Sequence, residues 1–340
     1  MKVTLKDLAE KVDCDISTVS RVLNDKPNRI SQVKRDEILK TAREMDYVTN
    51  RNASNLASGK TRTIGILVRN ITDSVFAEYI EKIDRYMMSK NYSVVQFITY
   101  NNLERDRQCL MNLQSHQVDA MICLHYIQEN ENFYKMLQRE GYVLTFRGVD
   151  ITSDNIDFDT TLIDIRSAYY YLTNHLFDVQ CRNIGVVGGY IADEIASGKN
   201  EYSASFELAH KEAGVEFSSR QGIRCKDSQD DAYAAIVEVF GKNPKCFDGL
   251  IVQNAHKVLG VYKALCDLGL RVPEDIKLCT VSDLDICRML PVPITVWAQP
   301  VDDICLALTE LTLNRLKYPE SAITKIPFKS RLVIRKSTEC

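Results

Sequence analysis

The sequence predicts an α/β protein with an N-terminal all-helical helix-turn-helix unit and two doubly wound parallel-sheet lobes. Three observations predict this class: apolar residues recur at helical spacing through the first 60 residues, strands alternate with helices from residue 61, and this alternation runs through two successive series. With 340 residues, 45% hydrophobic and 26% charged, the chain has the length and composition of a folded protein with more than one core. It contains no apolar run near the ~20 residues of a membrane span.

Residues 1–48 predict three short helices. The first, which Thr4 caps, has its apolar face on Leu5, Leu8, Ala9 and Val12. Asp15 is expected to cap the second helix after a tight break, and Ser31 the third. The inward-facing residues of these two helices are expected to be Val19, Val22, Leu23, Val33, Ile38, Leu39, Ala42 and Met45. A tight break between two short helices is the helix-turn-helix plan.

Residues 49–61 form the predicted hinge or linker. They are polar and contain one large apolar residue, Leu56, so they favour a helix only with help from a partner. Residues 1–60 carry three more basic than acidic residues, although the whole chain has a net charge of −3. The basic end is therefore the natural place for a polyanionic partner.

Residues 62–340 predict two lobes. Strands are expected at 63–68, 92–98, 118–124, 142–146, 184–187, 247–252 and 276–281, and helices around 74–90, 103–115, 164–178, 201–213, 229–241 and 256–268. We expect one lobe over about 62–158 and 293–325, and the other over about 159–292 and 326–340. Ligands in such folds bind at the carboxyl ends of strands, so the cleft between the lobes is the expected pocket.

Short motifs spaced along essentially the whole chain carry a family resemblance. In the N-terminal unit they are Thr4-Leu5-Lys6-Asp7-Leu8-Ala9, Ser17-Thr18-Val19-Ser20-Arg21-Val22-Leu23-Asn24, Tyr47 and Gly59-Lys60-Thr61. Further along they include Thr63-Ile64-Gly65-Ile66-Leu67-Val68, Gln117-Val118-Asp119 and Gln299-Pro300. In this respect the chain resembles the LacI/GalR family of bacterial transcription regulators. The resemblance implies a sequence-specific DNA-binding regulator, most often a repressor, whose periplasmic-binding-protein-like core closes around a small-molecule effector.

The second helix carries the candidate base-reading residues Ile16, Ser17 and Arg21. Arg21 has the fork geometry for a bidentate contact to guanine, Ser17 can donate or accept a hydrogen bond, and Ile16 can contact a thymine methyl group. The alternative for Ile16 is a place in the core. Short polar side chains suited to phosphate oxygens, with capping and turn roles as their alternative, are Thr4, Thr18, Ser20, Asn24 and Ser31.

The resemblance implies that three hinge residues, Asn50, Ala53 and Leu56, contact the operator DNA. It implies that Leu56 wedges into the minor groove, where a kinked and better wrapped duplex offsets the unstacking. The alternative is an exposed leucine in a linker. Because one N-terminal unit reads about half a site, we expect a two-fold homodimer on a palindromic operator. No heptad-repeat helix trails the core, which favours a dimer over a tetramer.

Three residues depart from the family pattern. Asp13 stands where the family prefers glycine in the turn, and aspartate tolerates the left-handed geometry required there. Asp15 replaces the usual serine cap and adds a negative charge near phosphates. Thr49 replaces the usual proline before Asn50. We expect these substitutions to change affinity and operator preference rather than the DNA-binding role.

The effector site that the resemblance implies has an unusual charge pattern. Tyr202 stands at a position where the family has arginine, whereas Arg69 and Arg147 occupy positions where small, acidic or aromatic residues are usual. The expected effector is a sugar or sugar derivative. Three hypotheses stay open: an anionic or phosphorylated effector, arginines that pair with Asp73 and Asp150 on a solvated rim, and a vestigial cleft. The expected effector-binding residues are Arg69, Asp73, Phe76, Arg147, Tyr202, Asn254 and Asp283.

Other functional classes find little support in the sequence. It has no dinucleotide fingerprint, phosphate loop or nucleophile elbow, its five histidines lack metal spacing, and its eleven cysteines contain no Cys-x-x-Cys pair. We therefore expect no enzymatic activity, cofactor or metal, reduced cysteines that act as small apolar residues, and His210 on a solvated helix face. The N-terminus has no apolar signal region, which argues against an exported solute-binding protein and for a cytoplasmic location.

Overall fold

The computed structural model describes residues 3–23, 30–47, 60–71, 74–115, 117–148, 157–197, 202–226 and 228–339. The chain divides into two compact units, Met1–Thr61 and Arg62–Cys340. Most of the expected hinge lies outside the described residues, as do the predicted site residues Asn24, Asn50, Ala53, Leu56 and Asp73.

The described part of the first unit is helical, with α1 (Leu5–Lys11), α2 (Ile16–Leu23) and α3 (Gln32–Glu44). Thr4 caps α1 as predicted: its hydroxyl oxygen accepts a hydrogen bond from the Asp7 N–H at 3.3 Å, and Asp7 accepts one from the Thr4 N–H at 2.8 Å. Leu8, Val19 and Ile38 meet in one buried cluster and hold the three helices together.

Two predictions about the first unit can be compared with the structure. The φ angle of Asp13 is 49°, so the predicted left-handed geometry at the turn is confirmed. The prediction that Val33 faces inward is wrong, because its side chain is 79% exposed. Five residues turn a helix by roughly 500°, which places Val33 about 140° away from the buried Ile38.

Two six-stranded sheets form the described part of the second unit. The first sheet has the spatial order β11-β5-β4-β3-β1-β2 and the second β12-β10-β9-β8-β6-β7, and all neighbours run parallel except β10 and β12. The strands are β1 (Thr63–Val68), β2 (Ser93–Ile98), β3 (Ala120–Cys123), β4 (Val143–Gly148), β5 (Asp159–Ile163), β6 (Ile184–Gly188), β7 (Gly222–Arg224), β8 (Gly249–Val252), β9 (Lys277–Val281), β10 (Thr295–Ala298), β11 (Lys325–Phe328) and β12 (Arg331–Val333).

Helices cover both faces of each sheet, which confirms the predicted doubly wound architecture. Lobe 1 is the first sheet with α4, α5, α6 and α13, and lobe 2 is the second sheet with α7–α12. The helices are α4 (Ser74–Ser89), α5 (Leu103–Gln114), α6 (Glu131–Arg139), α7 (Arg166–Asp178), α8 (Tyr190–Ser197), α9 (Ser203–Ala213), α10 (Gln229–Lys242), α11 (Val258–Asp267), α12 (Asp285–Met289) and α13 (Val301–Lys317). Separate buried clusters line the two faces of each sheet.

The chain passes between the sheets after β5, after β10 and after β11. The crossings therefore lie at 164–165, 299–300 and 329–330. The boundaries expected from the sequence, near 158, 292 and 325, fall a few residues earlier. The difference arises because β5, β10 and β11 each complete a sheet before the chain crosses.

His175 and His210 are buried side chains in lobe 2. The Nδ1 atom of His210 lies 2.9 Å from the Phe206 carbonyl oxygen, and its Nε2 atom lies 2.7 Å from the Gln221 amide nitrogen. His210 is fully buried, so the prediction of a solvated helix face is wrong. Burial lowers the pKa of both imidazoles, which keeps them neutral in the folded chain.

We expect the free energy of unfolding to fall as the pH drops below about 6.5, the ordinary pKa of histidine. The unfolded chain then binds protons that the folded chain does not, so each buried histidine contributes a slope of up to about 1.4 kcal/mol per pH unit. Urea unfolding at several pH values between 7.5 and 5.5, roughly one unit on either side of that pKa, measures the slope. His210→Gln should reduce it, and an unchanged slope would contradict the role given to this histidine.

Candidate functional site

The exposed face of α2 carries the residues predicted to read bases. Ile16 is 47% exposed and Ser17 and Arg21 are exposed, whereas Val19 and Val22 are buried on the opposite face. Ser17 and Arg21 are four residues apart, so they are neighbours on the helix surface, and Ile16 adjoins them. The exposure of Ile16 excludes the alternative that it belongs to the core.

The exposed guanidinium of Arg21 differs from several lysines of this unit in its contacts with the described residues. Lys6 and Lys40 pair with glutamates one turn along their own helices, and the Lys34 amine lies 3.0 Å from Glu37. Arg21, in contrast, forms no ion pair with any described residue of this unit. A guanidinium fork on an exposed helix face is suited to bidentate acceptors such as a guanine edge or a phosphate.

Four of the five residues predicted to contact phosphates are described, namely Thr4, Thr18, Ser20 and Ser31. Their contacts with phosphates stay predictions. Ser31 caps α3, and its hydroxyl oxygen accepts from the Lys34 N–H at 3.3 Å. Thr18 and Ser20 are half-buried on α2. The N–H and the hydroxyl of Thr4 both donate to Asp7 and lower the pKa of that carboxyl group.

In the second unit, the strand ends bring predicted residues to one edge of each sheet. In lobe 1, Arg69 follows β1 and Arg147 is the second-to-last residue of β4. In lobe 2, Asn254 follows β8 by two residues and Asp283 follows β9 by two residues, and Tyr190, which was not predicted, begins α8 just after β6. Because the carboxyl ends of parallel strands meet at the same edge, these residues border the cleft between the lobes.

Arg147 is buried at the lobe 1 side of this cleft, with 5% of its surface exposed. Its Nη2 atom donates to the Gln299 side-chain oxygen at 3.0 Å, and its guanidinium carbon lies 4.8 Å from the centroid of the Tyr79 ring. The Tyr79 hydroxyl donates to the same Gln299 oxygen at 3.3 Å. Gln299 lies on the second crossing, and its amide nitrogen is 3.5 Å from the Ser282 hydroxyl in lobe 2. Arg147 therefore does not lie on a solvated rim, whereas its expected partner Asp150 lies outside the described residues.

Arg69 is exposed and stacks on an aromatic ring. Its guanidinium carbon lies 5.5 Å from the centroid of Phe76. In lobe 2 the rings of Tyr190 and Tyr202 are 5.0 Å apart, and the guanidinium carbon of Arg166 lies 5.5 Å from the Tyr202 ring. Burial raises the pKa of Tyr190 to about 12, and the Tyr169 hydroxyl and the charge of Arg69 partly oppose that rise.

Asp283 is already engaged by arginines. Arg335 donates to both of its oxygens, at 2.9 and 2.6 Å, and Arg288 lies 3.4 Å from one of them. Asn254 is half-buried, and it directly precedes a short 3-10 helix (Ala255–Lys257) in which Lys257 is fully buried. An effector contact by Asp283 or Asn254 stays a prediction.

Sequence reasoning missed four residues at this cleft, Tyr79, Arg166, Tyr190 and Ser282. Tyr79 lies one helical turn after Phe76 on α4, so the helical spacing was an available signal. Arg166 and Ser282 had no local signal, because tertiary contacts alone bring Arg166 against Tyr202 and Ser282 against Gln299.

Within the described ranges, no group of three or more histidine, cysteine or acidic side chains is placed to hold a metal ion. No helix in the same part of the chain is both long and apolar enough to cross a membrane. The ten described cysteines are free, and seven of them are buried.

Comparisons with known proteins match both units. The family "Bacterial regulatory proteins, lacI family" matches residues 4–50, and the "Periplasmic binding protein-like domain" matches residues 173–338. The chain is 25% identical over 341 residues to catabolite control protein A of Priestia megaterium, with 100% of both chains covered.

Two solved structures have a similar fold. The lac repressor dimer bound to operator and the anti-inducer ONPF has a TM-score of 0.80 at 19% identity, with 100% of both chains covered. A LacI family regulator from Enterococcus faecium with bound ribose has a TM-score of 0.69 at 20% identity, covering 81% of this chain and 98% of that chain. These likenesses support the observed architecture of both units.

Proposed function

The chain belongs to the LacI family of bacterial regulatory proteins, and we propose that it is a sequence-specific transcriptional repressor whose operator affinity is controlled by a small-molecule effector. The observation that carries this proposal is the exposed face of α2, where Ile16, Ser17 and Arg21 stand opposite the buried Val19 and Val22. The major groove admits such a helix, and base edges there present distinct patterns of donors and acceptors. The operator complex of the lac repressor supports the same mode of binding.

Each part of the first unit has its own role in this proposal. Arg21 binds a guanine edge, Ser17 bonds an adjacent base and Ile16 contacts a thymine methyl group. The short polar residues bind phosphates and set the position of the helix on the duplex. In the hinge, Leu56 wedges between base pairs at the centre of a palindrome, and Asn50 and Ala53 flank it. A homodimer is required because each unit reads one half-site.

The effector binds in the cleft between the lobes. The arginines and rings of Arg69, Phe76, Arg147, Tyr190 and Tyr202 form its walls. The ribose complex of the Enterococcus regulator supports a sugar or sugar derivative as effector. In this proposal the protein is cytoplasmic, and it acts by binding rather than by catalysis.

Arg21→Met is expected to weaken binding to the selected operator by roughly 10- to 100-fold, because one bidentate base contact is lost. Binding to random duplex should change much less. The operator is first selected from a random duplex pool with the full-length protein, and fluorescence anisotropy at fixed salt concentration then gives both affinities.

Arg43→Met is the matched control, since it removes the same charge from an exposed position in the last turn of α3. This variant should lose little affinity, and the loss should be equal for the selected operator and for random duplex. The proposal fails if the protein prefers no duplex, with or without small molecules from a cell extract. It also fails if the two variants lose the same affinity for the operator.

A further inference from the structure

We propose that Arg147 and Arg69 form an oxyanion subsite in lobe 1, so that the effector carries a carboxylate or phosphate group. This inference rests on the proposed function, because it concerns the same cleft and names the chemical class of its ligand. It starts from an unusual feature, a buried arginine without a counterion among the residues that the structure describes.

Arg147 carries a buried charge that the described residues do not neutralise. No carboxylate among them forms an ion pair with it, and its contacts are an amide oxygen and an aromatic ring. Its buried Nε atom has no hydrogen-bond partner in the described structure. Burying a charge is costly unless it is paired and hydrogen-bonded, so this guanidinium lacks a partner that an oxyanion would supply.

The nearby acidic groups that the structure describes do not serve as that partner. Burial raises the pKa of the Tyr79 phenol and raises the pKa of the Cys305 thiol to about 12, so both are neutral at pH 7. The carboxylates of Glu78 and Asp302 lie 3.6 and 2.6 Å from the Lys82 amine and pair with it instead.

The second arginine, Arg69, stacks on a ring that lies one helical turn from Tyr79 on α4. The guanidinium of Arg69 rests on Phe76 and that of Arg147 on Tyr79, and these two rings are three residues apart on the same face of α4. Arg69 forms no ion pair with the residues that the structure describes. The two guanidinium groups therefore stack on neighbouring rings of α4, and bidentate recognition of carboxylate or phosphate is the chemistry that arginine favours.

The surroundings are also compatible with an anion. The rings belong to the first two turns of α4, a helix of 16 residues, and Gln299 lies two residues before α13, a helix of 17 residues, so two helix N-termini add positive potential to this edge of the sheet. Across the cleft, Arg335 and Arg288 neutralise Asp283. Glu194 accepts hydrogen bonds from the N–H groups of Tyr202 and Ser203, so both of these carboxylates already have partners within lobe 2.

The test compares matched ligands on the full-length protein. Calorimetric titration and thermal shift are measured with glucose, glucose 6-phosphate, gluconate and inorganic phosphate. We expect at least one anionic probe to bind with a Kd at least about tenfold below that of glucose. The phosphate and carboxylate probes distinguish the two sources of the anionic group.

Arg147→Met should raise the Kd of the anionic probe at least about tenfold and abolish the preference over glucose. Arg69→Met, at an exposed position, should lower the same preference and keeps the test decisive if the buried variant fails to fold. Arg85→Met is the control, because Arg85 is an exposed lobe 1 arginine that pairs with Glu81 on α4, and it should leave the Kd unchanged.

The subsite is overturned if glucose binds as well as the anions, if the two variants bind the anions as tightly as the native chain, or if no probe binds. Operator binding is measured in parallel. If the native chain shows no preference for anions but still binds its operator, the subsite alone is refuted, whereas absence of any duplex preference refutes the proposed function.

Discussion

Gly260→Ala is expected to destabilise lobe 2 by about 3 kcal/mol or more, because it forces a methyl group against backbone. Gly260 is the third residue of α11, and an added Cβ would lie 2.0 Å from the carbonyl oxygen of Gln229 and 2.8 Å from its carbonyl carbon. Gln229 begins α10, so relief of this clash requires the two helices to separate. Urea unfolding of the full-length chain measures the lost free energy of unfolding.

Gly241→Ala is the matched control. Gly241 lies in the last turn of α10, and an added Cβ there meets no atom within 4 Å. This variant should be neutral or more stable by up to about 1 kcal/mol, because alanine is the better helix former. Equal unfolding midpoints for the two variants would show that α10 and α11 do not pack as closely as the structure indicates.

Periodicity predicted most of the long elements of this fold, with the exception of α13, and predicted the short ones poorly. The helix expected at 229–241 is α10, whereas β7 and β12 span three residues each and are strands because β6 and β10 supply their hydrogen-bond partners. No local pattern indicates such pairing. The omission of α13 has a different reason, since Ile304, Leu308 and Leu311 have helical spacing and are buried. The signal for that helix was present in the sequence.

In the candidate sites, too, local sequence patterns predicted one part, and the other part depends on tertiary contacts. The exposed face of α2 was predictable, because Val19 and Val22 define the inward side and leave Ile16, Ser17 and Arg21 outside. The environment of Arg147 was not, because its partner Gln299 is 152 residues away along the chain. Sequence reasoning identified the unusual arginine, but its burial and the lack of a carboxylate partner among the described residues are tertiary properties.

Asp283→Asn is expected to destabilise lobe 2 by about 2–3 kcal/mol, since removal of one member of a largely buried ion pair leaves the other without full compensation. The side chains of Asp283 and Arg335 are only 17% and 15% exposed, and Arg335 uses both Nη atoms on this carboxylate. The same arginine donates from Nη1 to the Ile294 carbonyl oxygen at 3.0 Å, so the pair also ties the segment after β12 to the lobe.

Asp285→Asn provides the control, because Asp285 pairs with Arg288 at a site where its side chain is 85% exposed, and such pairs contribute about 0–1 kcal/mol. Urea midpoints of both variants separate the structural role of Asp283 from an effector contact. A large loss of stability for Asp283→Asn alone supports a carboxylate committed to Arg335. A stable Asp283→Asn variant that no longer binds effector would mean that the carboxylate leaves Arg335 for the ligand, and the paired geometry would then describe only the ligand-free cleft.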